Sequence, residues 1–189
     1  MDFVEKLKRV YFFILDSLQA ILIVCGFFLV LYAFVVRPHE VSGQSMFPTF
    51  HDKEILLSNL LAVKFGNIVK GDVVVFNAPY EKDKLYIKRV MATEGDRLMV
   101  ANGVVYLNGT LLDESKYLKP EVRTYGGGFF HDGEERTVPE GTIVTFGDNR
   151  PFSSDSREWG FLDKSKLIGR STARVYPTNM FSIIQNPFK

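Results

Sequence analysis

The 189-residue sequence predicts a mainly β domain carried behind one N-terminal transmembrane helix. Two observations carry that class. From Leu18 to Val36 the chain is apolar except for Gln19, which is the length and composition of a membrane span. Beyond it, helical periodicity is scarce, while short β-branched runs bounded by Gly, Asn and Asp are dense.

The apolar stretch comes first in the chain. At about 1.5 Å per residue it spans about 28 Å, close to the ~30 Å hydrocarbon core. A cleaved secretory signal is usually shorter and ends in a small-x-small site. This stretch instead runs into Val36-Arg37-Pro38, so an uncleaved anchor is expected. Lys6, Lys8 and Arg9 precede the span, and Arg37 and Lys53 are the nearest basic residues after it. The positive-inside bias places the N-terminus in the cytoplasm and the rest outside. The expected organisation is a cytoplasmic tail and anchor over 1–36 and an extracytoplasmic domain over 37–189.

In the second part, Asp72-Val-Val-Val-Phe76 reads as a strand buried on both faces. Leu85 to Val90 reads as another strand. Val104–Leu107 and Thr110–Leu112 flank Asn108-Gly109, a hairpin signal, and Asn102-Gly103 marks a tight turn just before it. Thr142 to Phe146 is a further strand. Ser58 to Val63 has a weak helical pattern. Turn residues at Gly126-Gly-Gly128, Asp132-Gly133, Pro139 and Gly141 mark residues of about 97–140 as a small β excursion from the main sheet.

Composition excludes several functions. A net charge of +1 gives no basic field for nucleic acid. Cys25 is the only cysteine and lies in the apolar stretch, so no intrachain disulfide can form. His39, His51 and His131 are scattered without metal-ligand spacing, and neither a metal nor a cofactor is expected. The many phenylalanines suit a chain that meets lipid or apolar peptide.

Three segments point to chemistry. On a strand, Tyr86, Lys88 and Val90 share one face and Ile87, Arg89 and Met91 the other. If the first face is buried, desolvation lowers the Lys88 pKa and makes it a usable base. A solvated edge lysine is the plainer alternative. Ser45 lies in Ser42-Gly-Gln-Ser-Met-Phe-Pro-Thr49, with Met46, Phe47 and Phe50 supplying apolar surface beside it; alone, it could be a simple turn residue. Gly147 to Gly160 alternates Asp148, Arg150, Asp155 and Arg157 with serines, a pattern suited to a rigid hydrogen-bonded scaffold.

Taken together, these segments resemble the bacterial type I signal peptidases, Ser/Lys serine endopeptidases bound to the membrane. Ser45-Met-Phe-Pro-Thr49, Gly71-Asp-Val-Val-Val-Phe76, Tyr86-Ile-Lys-Arg-Val90 with Gly95-Asp96, and Gly147-Asp-Asn-Arg through Trp159-Gly160 are similar to the family's successive boxes, in order. The resemblance implies a mainly antiparallel β-sheet fold and removal of signal peptides from secreted preproteins. It also implies Ser45 as nucleophile, Lys88 as general base, and Ser153 as the residue whose hydroxyl bonds and orients the lysine amine. Arg89, Asp148, Asp155 and Arg157 become structural charges. Expected partners are signal peptides with small residues near the cut, the lipid bilayer and the nearby secretion translocon. Val41, Met46 and Ile87 are candidates to line the substrate pockets.

Two departures stand out. Some family members carry a serine two residues before the nucleophile, whose hydroxyl helps the oxyanion; here that position is Gly43, as in the small Gram-positive-type members. The Ser45 N–H must then act with another donor, with Ser42 or Gln44 as candidates. The lysine box continues Ala92-Thr-Glu-Gly-Asp96, which alters the turn that follows. Other readings are a Ser/Lys self-cleaving regulator, disfavoured by the anchor and the long last box, and a non-catalytic membrane-tethered binding protein, disfavoured by retention of both Ser45 and Lys88.

Overall fold

The computed structural model describes residues 3–81 and 83–188. The chain divides into two compact units, Met1–Val36 and Arg37–Lys189.

The first unit is one helix, α1 (Phe3–Phe34), long and apolar enough to cross a membrane and with no residue buried in the protein. It starts well before the apolar stretch. Its 32 residues extend about 48 Å, more than a single hydrocarbon core of ~30 Å.

The second unit contains two sheets. Along the chain run β1 (Val36–Glu40, whose first residue belongs to the first unit), β2 (Ile55–Asn59), a one-turn helix α2 (Leu61–Lys64), β3 (Val73–Asn77) and β4 (Leu85–Thr93). There follow β5 (Arg97–Ala101), β6 (Val104–Leu107), β7 (Thr110–Leu111), β8 (Glu135–Thr137) and β9 (Thr142–Phe146). A one-turn helix α3 (Ser156–Trp159), β10 (Leu162–Asp163), β11 (Leu167–Tyr176) and β12 (Ser182–Ile183) complete it. The larger sheet has the order β1-β2-β11-β3-β4-β9-β10, with β12 on β11; the smaller has β7-β6-β5-β8. The pairings from β2 through β11, β3, β4 and β9 to β10, and all of those in the smaller sheet, are antiparallel.

Local chemistry explains most of these elements. β3 is apolar on both faces because each face packs on its own cluster. Val73 and Val75 meet Val41, Met46, Phe50, Leu56 and Ile87, while Val74 and Phe76 meet Val90, Ile143, Leu162 and Leu167. A third cluster, including Met91, Val100, Phe130, Val138 and Phe146, combines residues of the two sheets. The turns Asn102-Gly103 and Asn108-Gly109 both have positive φ at both residues, the backbone a two-residue hairpin needs. Asn and Gly are the residues that enter that region at least cost.

The helical reading of Ser58 to Val63 is corrected. Ser58 belongs to β2 and its hydroxyl lies 3.2 Å from that of Ser171 on β11, so helix begins only at Leu61. β2 pairs with β11 along its length, and this non-local pairing outweighs a weak local preference.

Candidate active site

Lys88 sits in β4 opposite Val74 of β3, with Tyr86 opposite Phe76. The alternation of the strand therefore places the amine-bearing face against an apolar cluster, and Lys88 is only 3% exposed. Its Nζ donates to Ser45 Oγ at 2.5 Å and lies 5.1 Å from the centre of the Tyr86 ring. Burial lowers its pKa from 10.5 to about 8. The Asp155 and Asp148 carboxylates oppose that shift, while the Arg157 and Lys84 charges add to it.

Ser45 lies on the turn between β1 and β2, and residues 147–149 hold that turn from outside. Asn149 N–H donates to Ser45 O at 3.0 Å, and Asn149 Nδ2 to Gln44 O at 3.0 Å. Thr49 Oγ1 donates to Asp148 Oδ2 at 2.5 Å. A Cβ at Gly147 would overlap both the Ser45 carbonyl and the Ser153 side chain, so only glycine allows this approach.

The two aspartates of the last box, Asp148 and Asp155, each sit in a buried arginine fork. Arg89 Nε and Nη2 donate to Asp148 Oδ1 and Oδ2 at 2.9 and 2.7 Å, and Arg89 Nη1 donates to Gly71 O at 3.0 Å. Burial works against the Arg89 charge, but the Asp148 carboxylate more than offsets it and holds the guanidinium above its ordinary pKa. Arg157 Nε and Nη2 donate to Asp155 Oδ1 and Oδ2, both at 2.8 Å. Asp155 also accepts from Gly147 N–H at 2.9 Å and caps α3 through Arg157 N–H. Bidentate geometry fixes direction as well as distance.

A third fork was not anticipated. Arg150, 2% exposed, pairs with Glu114 from the segment that follows the smaller sheet's hairpins, and donates to Gly147 O at 3.1 Å and Thr124 Oγ1 at 2.5 Å. Nothing local to Glu114 marks it, because its partner lies 36 residues away. Asn149 and Thr49 were likewise missed as contacts, although both lie inside the motifs.

A cleft of about 400 Å³ opens over the Ser45–Lys88 pair. Val41, Met46 and Ile87 all line it, together with Val75, Leu85 and Tyr86. β4 pairs with β3 from Leu85 onward but with β9 only from Arg89, so the outer edge of Leu85–Lys88 faces the cleft.

Ser153 departs from expectation. Its Oγ is buried and has no hydrogen-bond partner, and Lys88 donates to Ser45 instead. The hydroxyl packs against Gly147 on the same side as the Ser45 carbonyl, where a Cβ would meet both. Ser42 and Gln44, the expected second oxyanion donors, are both exposed side chains on the cleft rim. Gly43 has φ +87°, so a serine there would be strained, although no atom lies in its way.

The chain is also similar to known proteins. The signal peptidase, peptidase S26 family matches residues 14–176. Signal peptidase IB of Staphylococcus aureus (strain MRSA252) is 34% identical over 164 residues, covering 82% of this chain and 85% of that protein. Signal peptidase I of Bacillus caldolyticus is 35% identical over 156 residues, covering 79% and 84%. A crystal structure of a signal peptidase I from Enterococcus faecalis V583 aligns with a TM-score of 0.43 at 23% identity, over 55% of this chain and 96% of that one. On the family match and on relatives alike over most of their length, the chain belongs to the signal peptidase family, peptidase S26, and is a serine endopeptidase.

Proposed function

We propose that this protein removes N-terminal signal peptides from exported preproteins at the outer face of a membrane, with Ser45 as nucleophile and Lys88 as general base. The observation that carries the reading is the 2.5 Å contact of Lys88 Nζ with Ser45 Oγ at an amine that burial holds at about pKa 8. Near neutral pH such an amine is neutral in a useful fraction of molecules, where a solvated lysine is not.

The neutral amine takes the Ser45 proton as Oγ attacks the scissile carbonyl. The tetrahedral oxyanion forms next to the Ser45 N–H, and the Lys88 ammonium then gives its proton to the leaving amine. An acyl-enzyme remains on Ser45. The neutral amine next takes a proton from water as it attacks the ester, and returns it to Ser45 Oγ as the acyl bond breaks and the cleaved signal peptide leaves with a free carboxyl group. Ser153, with its unpartnered buried hydroxyl, is in reach of this machinery through Gly147 and accepts from the lysine once substrate reorders the site. The buried Arg89–Asp148 and Arg157–Asp155 pairs hold the nucleophile turn and α3.

The open edge of Leu85–Lys88 suits an extended peptide that continues the sheet, and alternate side chains would drop into the pocket of Val41, Met46 and Ile87. Those walls favour small apolar residues near the cut. The anchor is single-pass with a cytoplasmic N-terminus, the catalytic unit Arg37–Lys189 lies outside, and the bilayer and the translocon supply the substrate.

A preprotein cleavage assay in detergent tests the reading. Ser45→Ala and Lys88→Ala are each expected to lose all measurable cleavage while remaining folded, and the double variant to be no worse than either. Substantial cleavage by Lys88→Ala would remove lysine as the base.

A further inference from the structure

The peptide joining Gln44 to Ser45 is loaded at one end only. Gln44 O accepts two hydrogen bonds, from Phe47 N–H at 3.1 Å across the turn and from Asn149 Nδ2 at 3.0 Å. The N–H of the same peptide, that of Ser45, donates to no protein group among the described residues, and Ser45 lines the cleft. In a trans peptide the N–H points opposite to the carbonyl, so this donor is directed away from Asn149. Of the nearby donors, Gly43 N–H is committed to Asp52 Oδ1 at 2.6 Å and Phe47 N–H to the turn itself, while Gln44 and Met46 N–H, like that of Ser45, donate to no protein group among the described residues. Asn149 also grips the next carbonyl, Ser45 O, through its own N–H at 3.0 Å. Both carbonyls that flank the nucleophile are thus held by one residue.

We propose that Asn149 is a positioning residue that fixes and polarises the Gln44–Ser45 peptide, making the Ser45 N–H the principal oxyanion donor in a chain with glycine at position 43. The proposal rests on the reading of Ser45 as the nucleophile. Its physical basis is peptide resonance. Two donors on the carbonyl draw electron density toward oxygen and leave the N–H more positive, and hydrogen bonds in series strengthen one another in this way. A donor set in place before the reaction needs no reorganisation when the oxyanion forms. Asn149 acts only through the peptide; it is not itself a donor to substrate.

The test uses the full chain in detergent with a preprotein substrate. Asn149→Asp is nearly isosteric, keeps the backbone bond to Ser45 O, and replaces the side-chain donor with a carboxylate facing Gln44 O. A loss of ~10- to 100-fold in kcat is expected, with KM within about twofold, less than the loss for removing an oxyanion donor outright. In Asn149→Ser, which adds no charge, the alkaline rise in kcat/KM should stay where it is in the wild type. A peptide aldehyde, whose tetrahedral adduct on Ser45 carries an oxygen in the oxyanion position, should weaken by the same factor as kcat, while cleaved signal peptide should bind unchanged. Asn149→Ser also removes only the side-chain bond, and decides by the same measures if the Asp variant does not fold. A kcat within twofold of wild type overturns the proposal. So does a loss shared equally by product binding, or one in Asn149→Ser that moves with the pH profile, because each would mean that Asn149 supports the groove or Lys88 instead. A wild type that cleaves no preprotein would sink the functional reading itself, which is a different outcome from an active wild type with an equally active Asn149→Asp.

Discussion

Lys88 carries opposing demands on stability and activity. In the unfolded chain it titrates at its ordinary value of 10.5; in the folded chain burial brings it to about 8. Below pH 8 both states hold the proton, and the fold bears the full cost of the buried charge, about 3 kcal/mol at 1.36 kcal/mol per unit. Between about pH 8 and 10.5 the native state releases its proton while the unfolded state keeps it, so native stability rises with pH across that window. Lys88→Met removes the charge at similar volume. It should be more stable than wild type at pH 7, with an advantage that shrinks by up to about 3 kcal/mol as pH passes from 8 to 10.5. Urea unfolding in detergent across that range measures it; an advantage independent of pH would mean the amine is not held neutral. In the active protein the same titration should appear as a rise of kcat/KM with pH through about 8.

At the scale of elements, Asp148 ties three pieces of chain together. It lies just past β9, forks to Arg89 on β4, and accepts from Thr49 at the end of the nucleophile turn. Removing it leaves a guanidinium that is 2% exposed without its counter-ion. Asp148→Ala should cost about 3–5 kcal/mol, the range for breaking one side of a buried pair, and should abolish cleavage at temperatures where the fold survives. Asp148→Ala paired with Arg89→Met should recover much of the stability but not the activity, since the nucleophile turn stays untied; denaturation and cleavage measured on both variants separate the two effects. The turn after β4 shows how an altered motif is made good. In Thr93-Glu-Gly-Asp96, Gly95 takes φ +81° and Asp96 accepts from both the Thr93 N–H and hydroxyl, closing the turn with side-chain bonds.

For the whole molecule, the expected orientation rests on charge. Lys6, Lys8 and Arg9 stand at the start of α1 and only Arg37 immediately follows it. Protease added outside spheroplasts should digest the Arg37–Lys189 unit and spare the N-terminal tail. Protection of that unit from outside would overturn both the orientation and a role in export.

Much of this molecule was legible because its signals are local. The anchor is a composition, the Asn-Gly hairpins are a backbone requirement, β3 and β9 are short apolar runs, and Ser45 and Lys88 stand in motifs whose order is itself specific. β11 was not read at all. It is the ten-residue strand that pairs with β2, β3 and β12, yet Leu167-Ile-Gly-Arg-Ser-Thr-Ala-Arg-Val-Tyr176 mixes small, polar and apolar residues and has register shifts. Its strand character comes from partners on both sides, not from its own pattern. The same holds inside the site. The sequence by itself singled out Ser45 and Lys88 as the candidates for nucleophile and base, because those roles need particular side chains. Only the tertiary structure decided that Lys88 faces an apolar cluster, that Arg150 finds Glu114, that Asn149 holds the carbonyls around Ser45, and that the Ser153 hydroxyl is left unpartnered. Burial and hydrogen bonds between residues tens of positions apart are properties of the folded chain, and no local window of sequence contains them.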